Sequence, residues 1–163
     1  MSGTYISANL RREVVRRAGE ICEYCLIHQD DALLGCAVDH ILSEKHGGRT
    51  EFDNLALSCT LCNRRKGTDI ASVVPQTRRV VALFDPRADS WTDHFRLSAD
   101  VLTIHPRTEV GRVTARLLGF NEFHRQAERA LLREEGRYPP RAARRKAQPS
   151  GLGRQVARTE KMG

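Results

Sequence analysis

No apolar run in the 163-residue sequence is long enough to cross a bilayer, which argues against a helical membrane span. The opening MSGTYISANLRREVVRR turns polar and charged at once and lacks the apolar stretch of a secretory signal. A cytosolic protein with no membrane partner is therefore expected. Acidic residues are almost missing from the last stretch. Residues 137–163 carry eight basic groups and one acid, Glu160, whereas residues 1–136 balance 19 Lys and Arg against 19 Asp and Glu. The formal net charge of +7 thus sits at the C-terminus. A basic tail on a neutral body either adds sequence-independent phosphate affinity or serves as a solubilising segment. Apolar residues are scarce beyond Pro139-Pro140, so disorder is expected over 139–163. There is no internal repeat other than a doubled Cys-x-x-Cys.

Those cysteines are few and paired. Five in a cytosolic chain argue against a disulfide framework. Cys22-x-x-Cys25 and Cys59-x-x-Cys62 instead have the spacing of a tetrahedral structural zinc site, because each such turn sets two thiolates on one side of an ion. A second set, Cys22, Cys25, Cys36 and His40, also has a finger-like spacing. It would occupy His40 and leave Cys59 and Cys62 without a role. Under the first assignment Cys36 is a small buried hydrophobe.

Periodicity gives a coarse map. A helix is predicted over 8–18, capped by Ser7 or Asn9 and ended by Gly19. Extended segments over 37–41 and 52–58 flank a turn at His46-Gly47-Gly48-Arg49. A helix with a basic first turn is predicted from Asn63 to Val73, broken by Pro75. Beyond it come an apolar run at 80–84, a hairpin from 95–97 and 101–104, and a helix over 108–118. A last helix spans 122–135, with Phe123, Ala127, Ala130 and Leu131 as its apolar stripe. Three regions follow: a core at 1–75, an α/β extension packed on it at 76–138, and the basic tail at 139–163.

Between the two cysteine pairs lies a set of residues suited to cutting phosphodiesters. That reaction needs an activated water, neutralised charge in the transition state and a stabilised leaving oxygen. His40 is a natural base near neutral pH. The adjacent Asp39 offers a carboxylate for a hard cation, and an amide oxygen from a following helix offers a second ligand. The order CxxC, Asp39-His40-Ile41, Gly47-Gly48, Asp53-Asn54-Leu55 and Cys62-Asn63-Arg64-Arg65-Lys66-Gly67 resembles the HNH endonucleases over roughly residues 15–70. More loosely, Leu83–Arg87 with Trp91-x-x-His94-Phe95 looks like the downstream part of small stand-alone members.

The resemblance implies an α+β fold: a ββα-metal (His-Me finger) HNH core with structural zinc, extended by a hairpin and C-terminal helices. It implies His40 as general base, Asn54 as the residue that orders the inter-strand loop, and Asp39 with Asn63 as ligands of a catalytic Mg²⁺ or Mn²⁺. Asn63 stands where many members have histidine, and its oxygen suits a hard cation better than zinc. It also implies structural Zn²⁺ on Cys22, Cys25, Cys59 and Cys62, and phosphate contacts from Arg64, Arg65 and Lys66. The implied activity is hydrolysis of DNA to a 5′ phosphate and a 3′ hydroxyl, by nicking or double-strand cutting. A second protein could supply specificity, since a neutral body offers no continuous DNA groove. A zinc-stabilised nucleic-acid-binding module without hydrolysis is the alternative.

Overall fold

The computed structural model describes residues 4–147. Its first helix, α1 (Ala8–Ala18), starts where the Ser7 side chain accepts from the Leu10 amide at 3.2 Å and ends at Gly19 in the left-handed region. Only a residue at ease with positive φ fits that cap. Gly19 also lacks a Cβ that would lie 2.9 Å from Ala142.

Strands β1 (Cys36–His40) and β2 (Leu55–Cys59) pair antiparallel in the register Cys36 with Cys59 through His40 with Leu55. Every residue of β2 is buried, because the strand is covered on both faces. Leu55 and Leu57 pack with Val38, Val14, Ala18 and Ile6 under α1. Ala56, on the opposite face, joins the larger cluster around Tyr24, Phe84, Phe95 and Phe120. Each fully buried leucine here contributes about 1.5–3 kcal/mol. Helix α2 (Thr60–Lys66) follows β2 directly, completing a ββα unit.

The extension begins with β3 (Ala71–Val73) paired to β4 (Val80–Ala82). The sequence predicts helix as far as Val73, but the helix ends at Lys66. Gly67 at φ +49° breaks it, and the apolar Ala71–Val73 gains a strand partner instead. Next come α3 (Trp91–His94), the hairpin β5 (Phe95–Leu97) with β6 (Ile104–Pro106), and α4 (Glu109–Leu117). The second hairpin strand starts later than predicted, because Val101 takes φ +59° and belongs to the turn. Gly111 lets α4 approach the chain closely, since a Cβ there would sit 2.2 Å from the His94 carbonyl oxygen.

Aromatic packing joins extension to core. Phe95 stacks edge-on to Phe84 at 5.4 Å and Phe120 at 5.6 Å, and Trp91 Nε1 donates to the Tyr24 carbonyl at 2.9 Å. Tyr24 lies inside the first cysteine pair, so the extension is anchored on that turn.

Helix α5 (Phe123–Glu134) presents the face opposite to the one its apolar residues predict. Phe123 is 87% and Leu131 64% exposed, whereas Arg125, Arg129 and Leu132 are buried. The reason is polar demand from the surface beneath. Arg129 Nε donates to the Leu102 carbonyl at 2.7 Å, and its Nη2 to the Phe120 carbonyl at 2.5 Å. Buried carbonyls left free at turn ends need such donors.

The disorder expected from Pro139 onward is overturned as far as Ala147. Helix α6 (Arg141–Lys146) buries Ala143 completely, and Lys146 reaches Glu23 at 3.5 Å. Alanines without long side chains let this basic helix lie close to the end of α1. The rest of the predicted tail, 148–163, falls outside the described residues. Among the described residues no helix is long and apolar enough to cross a membrane.

Candidate metal centre and active-site cleft

The first cysteine pair sits in a tight reversal. The Cys22 amide donates to the Ile27 carbonyl at 2.8 Å and the Leu26 amide to Cys22 at 2.9 Å, with Leu26 at φ +67°. Glu23 ties this turn to β2: its amide donates to the Leu57 carbonyl at 2.9 Å, and its buried carboxylate accepts from the Leu57 amide at 3.0 Å. Arg87 pairs with the same carboxylate. The second pair is set by the strand-to-helix joint. Cys59 ends β2 and caps α2, its sulfur accepting from the Cys62 amide at 3.5 Å.

Both pairs converge. The four sulfurs of Cys22, Cys25, Cys59 and Cys62 lie within 4.8 Å of one another, all buried. Cys25 and Cys59 stand 3.7 Å apart. Four thiolates on zinc at about 2.3 Å define a tetrahedron with edges of about 3.8 Å, so this donor set fits zinc. Cys36 lies outside the cluster and is half-buried rather than buried. Burial, followed by the charges of Cys22 and Cys25, pushes its thiol up to about 12. The finger-like alternative is not formed: Cys59 and Cys62 complete the cluster, and the His40 ring is engaged elsewhere.

One basic side chain reaches the sulfurs. Arg125 of α5 is buried, with Nη2 3.5 Å from Cys62 Sγ and 3.9 Å from Cys59 Sγ. Burial alone would lower its pKa, but the charges of Cys25, Cys62 and Cys59 outweigh that and hold it above the ordinary value.

On the other side of α2 lies a cleft of about 700 Å³ lined by Asp39, His40, Asn63 and Arg64, with Arg11 and Lys45 at its walls. Asp39 and His40 would face opposite ways within a continuing strand. β1 ends at His40, and the two side chains meet the same cleft, with His40 Nδ1 3.8 Å from Asp39 Oδ1. The His40 ring is nearly enclosed, and its Nε2 lies 2.8 Å from Thr50 Oγ1. Asn63, one residue past the zinc-cluster Cys62, lines the cleft with them.

Asn54 organises the loop between the strands. Its Oδ1 accepts from the Leu42 amide, and its Nδ2 donates to the Leu42 and Arg49 carbonyls, all at 2.9 Å. Gly48 makes that closure possible: a Cβ there would fall 1.8 Å from the Leu42 carbonyl oxygen and 2.8 Å from Asn54 Nδ2.

The three basic residues expected at phosphates divide. Arg64 is exposed and lines the cleft. Arg65 is engaged by Glu122 at the start of α5. Lys66 is 4% exposed beneath the site, its Nζ 3.4 Å from the His40 and Gly67 carbonyls. Burial lowers its pKa, opposed by Asp39, Asp69 and Asp85. Lys66 therefore braces the end of β1 from inside, because the short helix turns its final residue toward the core. Arg17, one of a basic cluster on α1, is also spent internally, on the Phe52 and Leu55 carbonyls and the Phe52 ring. Thr50 and Arg125 were not visible as site residues. Nothing in the local pattern marks Thr50, and the helical spacing of Arg125, Arg129 and Leu132 does not by itself tell an inward arginine from a solvated one.

A family model described as HNH endonuclease matches residues 22–69, the segment that holds all four clustered cysteines and the cleft's Asp39, His40 and Asn63. Among curated proteins, none matches the chain.

Proposed function

We propose, from the match of residues 22–69 to the HNH endonuclease family model, that the protein is a metal-dependent endonuclease that hydrolyses DNA phosphodiester bonds. The observation that carries the reading is the convergence of Asp39, His40 and Asn63 on one cleft. Zinc at the four cysteines has a structural role only. The carboxylate of Asp39 and the amide oxygen of Asn63 form a hard donor pair suited to Mg²⁺ or Mn²⁺. An ion held there would neutralise charge on the attacked phosphate and stabilise the leaving 3′ oxygen.

The chain's own residues do the rest. The tautomer this mechanism requires has His40 Nε2–H donating to Thr50 Oγ1, 2.8 Å away, which leaves Nδ1 with a lone pair on the Asp39 side. Nδ1 takes the proton of the attacking water. Asn54 fixes the loop that carries Thr50 and so holds the ring indirectly. Arg64, exposed at the cleft, meets a phosphate of the bound strand. The products are a 5′ phosphate and a 3′ hydroxyl.

The test is nicking of supercoiled plasmid in Mg²⁺ or Mn²⁺. His40→Ala should slow it by about 10²–10⁴-fold, the usual worth of a general base. Plasmid left equally intact by wild type and mutant in both metals would refute hydrolysis. It would leave the non-catalytic zinc-stabilised nucleic-acid-binding module as the better reading.

A further inference from the structure

Four thiolates around one Zn²⁺ carry a net charge of minus two, and all four cysteines here are buried. A buried net charge is costly unless it is paired. Arg125 supplies the pairing, although it comes from α5, far along the chain from Cys62. Its Nη2 lies 3.5 Å from Cys62 Sγ and 3.9 Å from Cys59 Sγ. Nη1 is buried and has no hydrogen-bond partner among the described residues. No carboxylate among the described residues forms an ion pair with Arg125, whereas the buried Glu23 is satisfied by Arg87 and Lys146.

Arg129, four residues on and on the same helix face, makes a useful contrast. It donates to two main-chain carbonyls and to Asn121 Oδ1, which is the pattern of an arginine used for packing. Arg125 meets sulfur instead, and it leaves one nitrogen unpaired. That arrangement makes sense for a group held by charge rather than by a full set of hydrogen bonds.

We propose that Arg125 is a built-in counter-ion of the tetrathiolate zinc centre, so that retention of zinc by the HNH segment depends on a residue of the C-terminal extension. This rests on the assignment of zinc to the four cysteines. Arg125 is a positioning residue: it touches the ligands and not the metal. The Arg65–Glu122 ion pair, which joins α2 to the start of α5, keeps the guanidinium in register with the sulfurs. Partners of metal ligands are commonly worth about 10–100-fold in metal affinity.

The experiment loads the full chain with zinc and follows its transfer to a chromophoric chelator, with circular dichroism recorded alongside to show that the fold is intact. Arg125→Met should release zinc about 10–100-fold faster than wild type, and Arg125→Lys, which keeps the charge, should stay within a few-fold of it. Arg129→Met, which breaks the packing bonds of the same helix but leaves in place the guanidinium that contacts the sulfurs, should release zinc within a few-fold of the wild-type rate. If Arg125→Met does not fold, Arg125→Gln is read in its place, being polar but neutral. Release from a folded neutral variant at the wild-type rate would overturn the proposal. So would equal acceleration in Arg129→Met, which would mean the effect runs through helix stability. A wild-type chain that binds no zinc at all would instead remove the tetrathiolate assignment itself.

Discussion

Replacing Asn54 with alanine removes three hydrogen bonds at once, those to the Leu42 amide, the Leu42 carbonyl and the Arg49 carbonyl. At about 0.5–1.5 kcal/mol each, their sum lies between about 1.5 and 4.5 kcal/mol. The groups are partly open to water, so the lower half of that range applies. About 2 kcal/mol corresponds to a roughly 30-fold rise in the open population of the loop. The added opening should stay local, because the two short 3-10 turns of this loop, Glu44–His46 and Phe52–Asn54, bury none of their residues. Hydrogen exchange over residues 41–50 should therefore quicken by about that factor, and the thermal midpoint should fall by about 4–8 °C, since the unfolded chain lacks the same bonds. Nicking should fall about tenfold, because the loop carries Thr50 and Thr50 holds His40 Nε2. Asn54→Asp, which keeps the acceptor but loses both donors, should fall between. Faster exchange with unchanged nicking would refute the claim that loop order fixes the base. Unchanged exchange would refute the energetic estimate itself.

The cysteines give two further predictions. Metal analysis should find about one zinc per chain, lost in Cys59→Ser and kept in Cys36→Ser; the reverse pattern would mean that the clustered sulfurs are not the ligands. Cys36 should alkylate roughly a thousandfold more slowly than an ordinary thiol at neutral pH, since its pKa is pushed up to about 12 from 9.0. Between those two values the unfolded chain has released a proton that the folded chain keeps, so this group's contribution to stability falls as pH rises through that window. Rapid labelling of Cys36 in the folded protein, measured by mass spectrometry, would contradict the raised pKa.

Local spacing made much of the geometry of the sulfur cluster and the candidate cleft readable. A Cys-x-x-Cys pair places its own sulfurs, and Asp39-His40 followed by Asn54 and Asn63 needs only a hairpin and a helix to bring the groups together. Readings failed where the answer depended on distant partners. The α5 face was inverted because apolar periodicity cannot foresee arginines drawn inward by sulfurs and bare carbonyls. Lys66 looked like a surface cation, yet the C-terminal turn of α2 faces the core and the His40 carbonyl receives it. Ala71–Val73 became a strand because Val80–Ala82, across a turn, offered it an edge. The helix at Arg141–Lys146 was invisible by composition, since its anchor is a gap left by the missing side chain of Gly19.

Cys62 and Asn63 are consecutive residues of α2, one buried at the sulfur cluster and the other lining the cleft. Neighbouring residues of a helix point about 100° apart, so one peptide unit serves two chemically opposite environments. On the proposed reading, a soft-ligated ion and a hard-ligated ion hang from the same joint. Releasing the first loosens the pivot that aims the second, leaving α2 held by Lys66 at the end of β1 and by the Arg65–Glu122 pair. On that reading, stripping zinc from the four cysteines should slow plasmid nicking even with magnesium in excess.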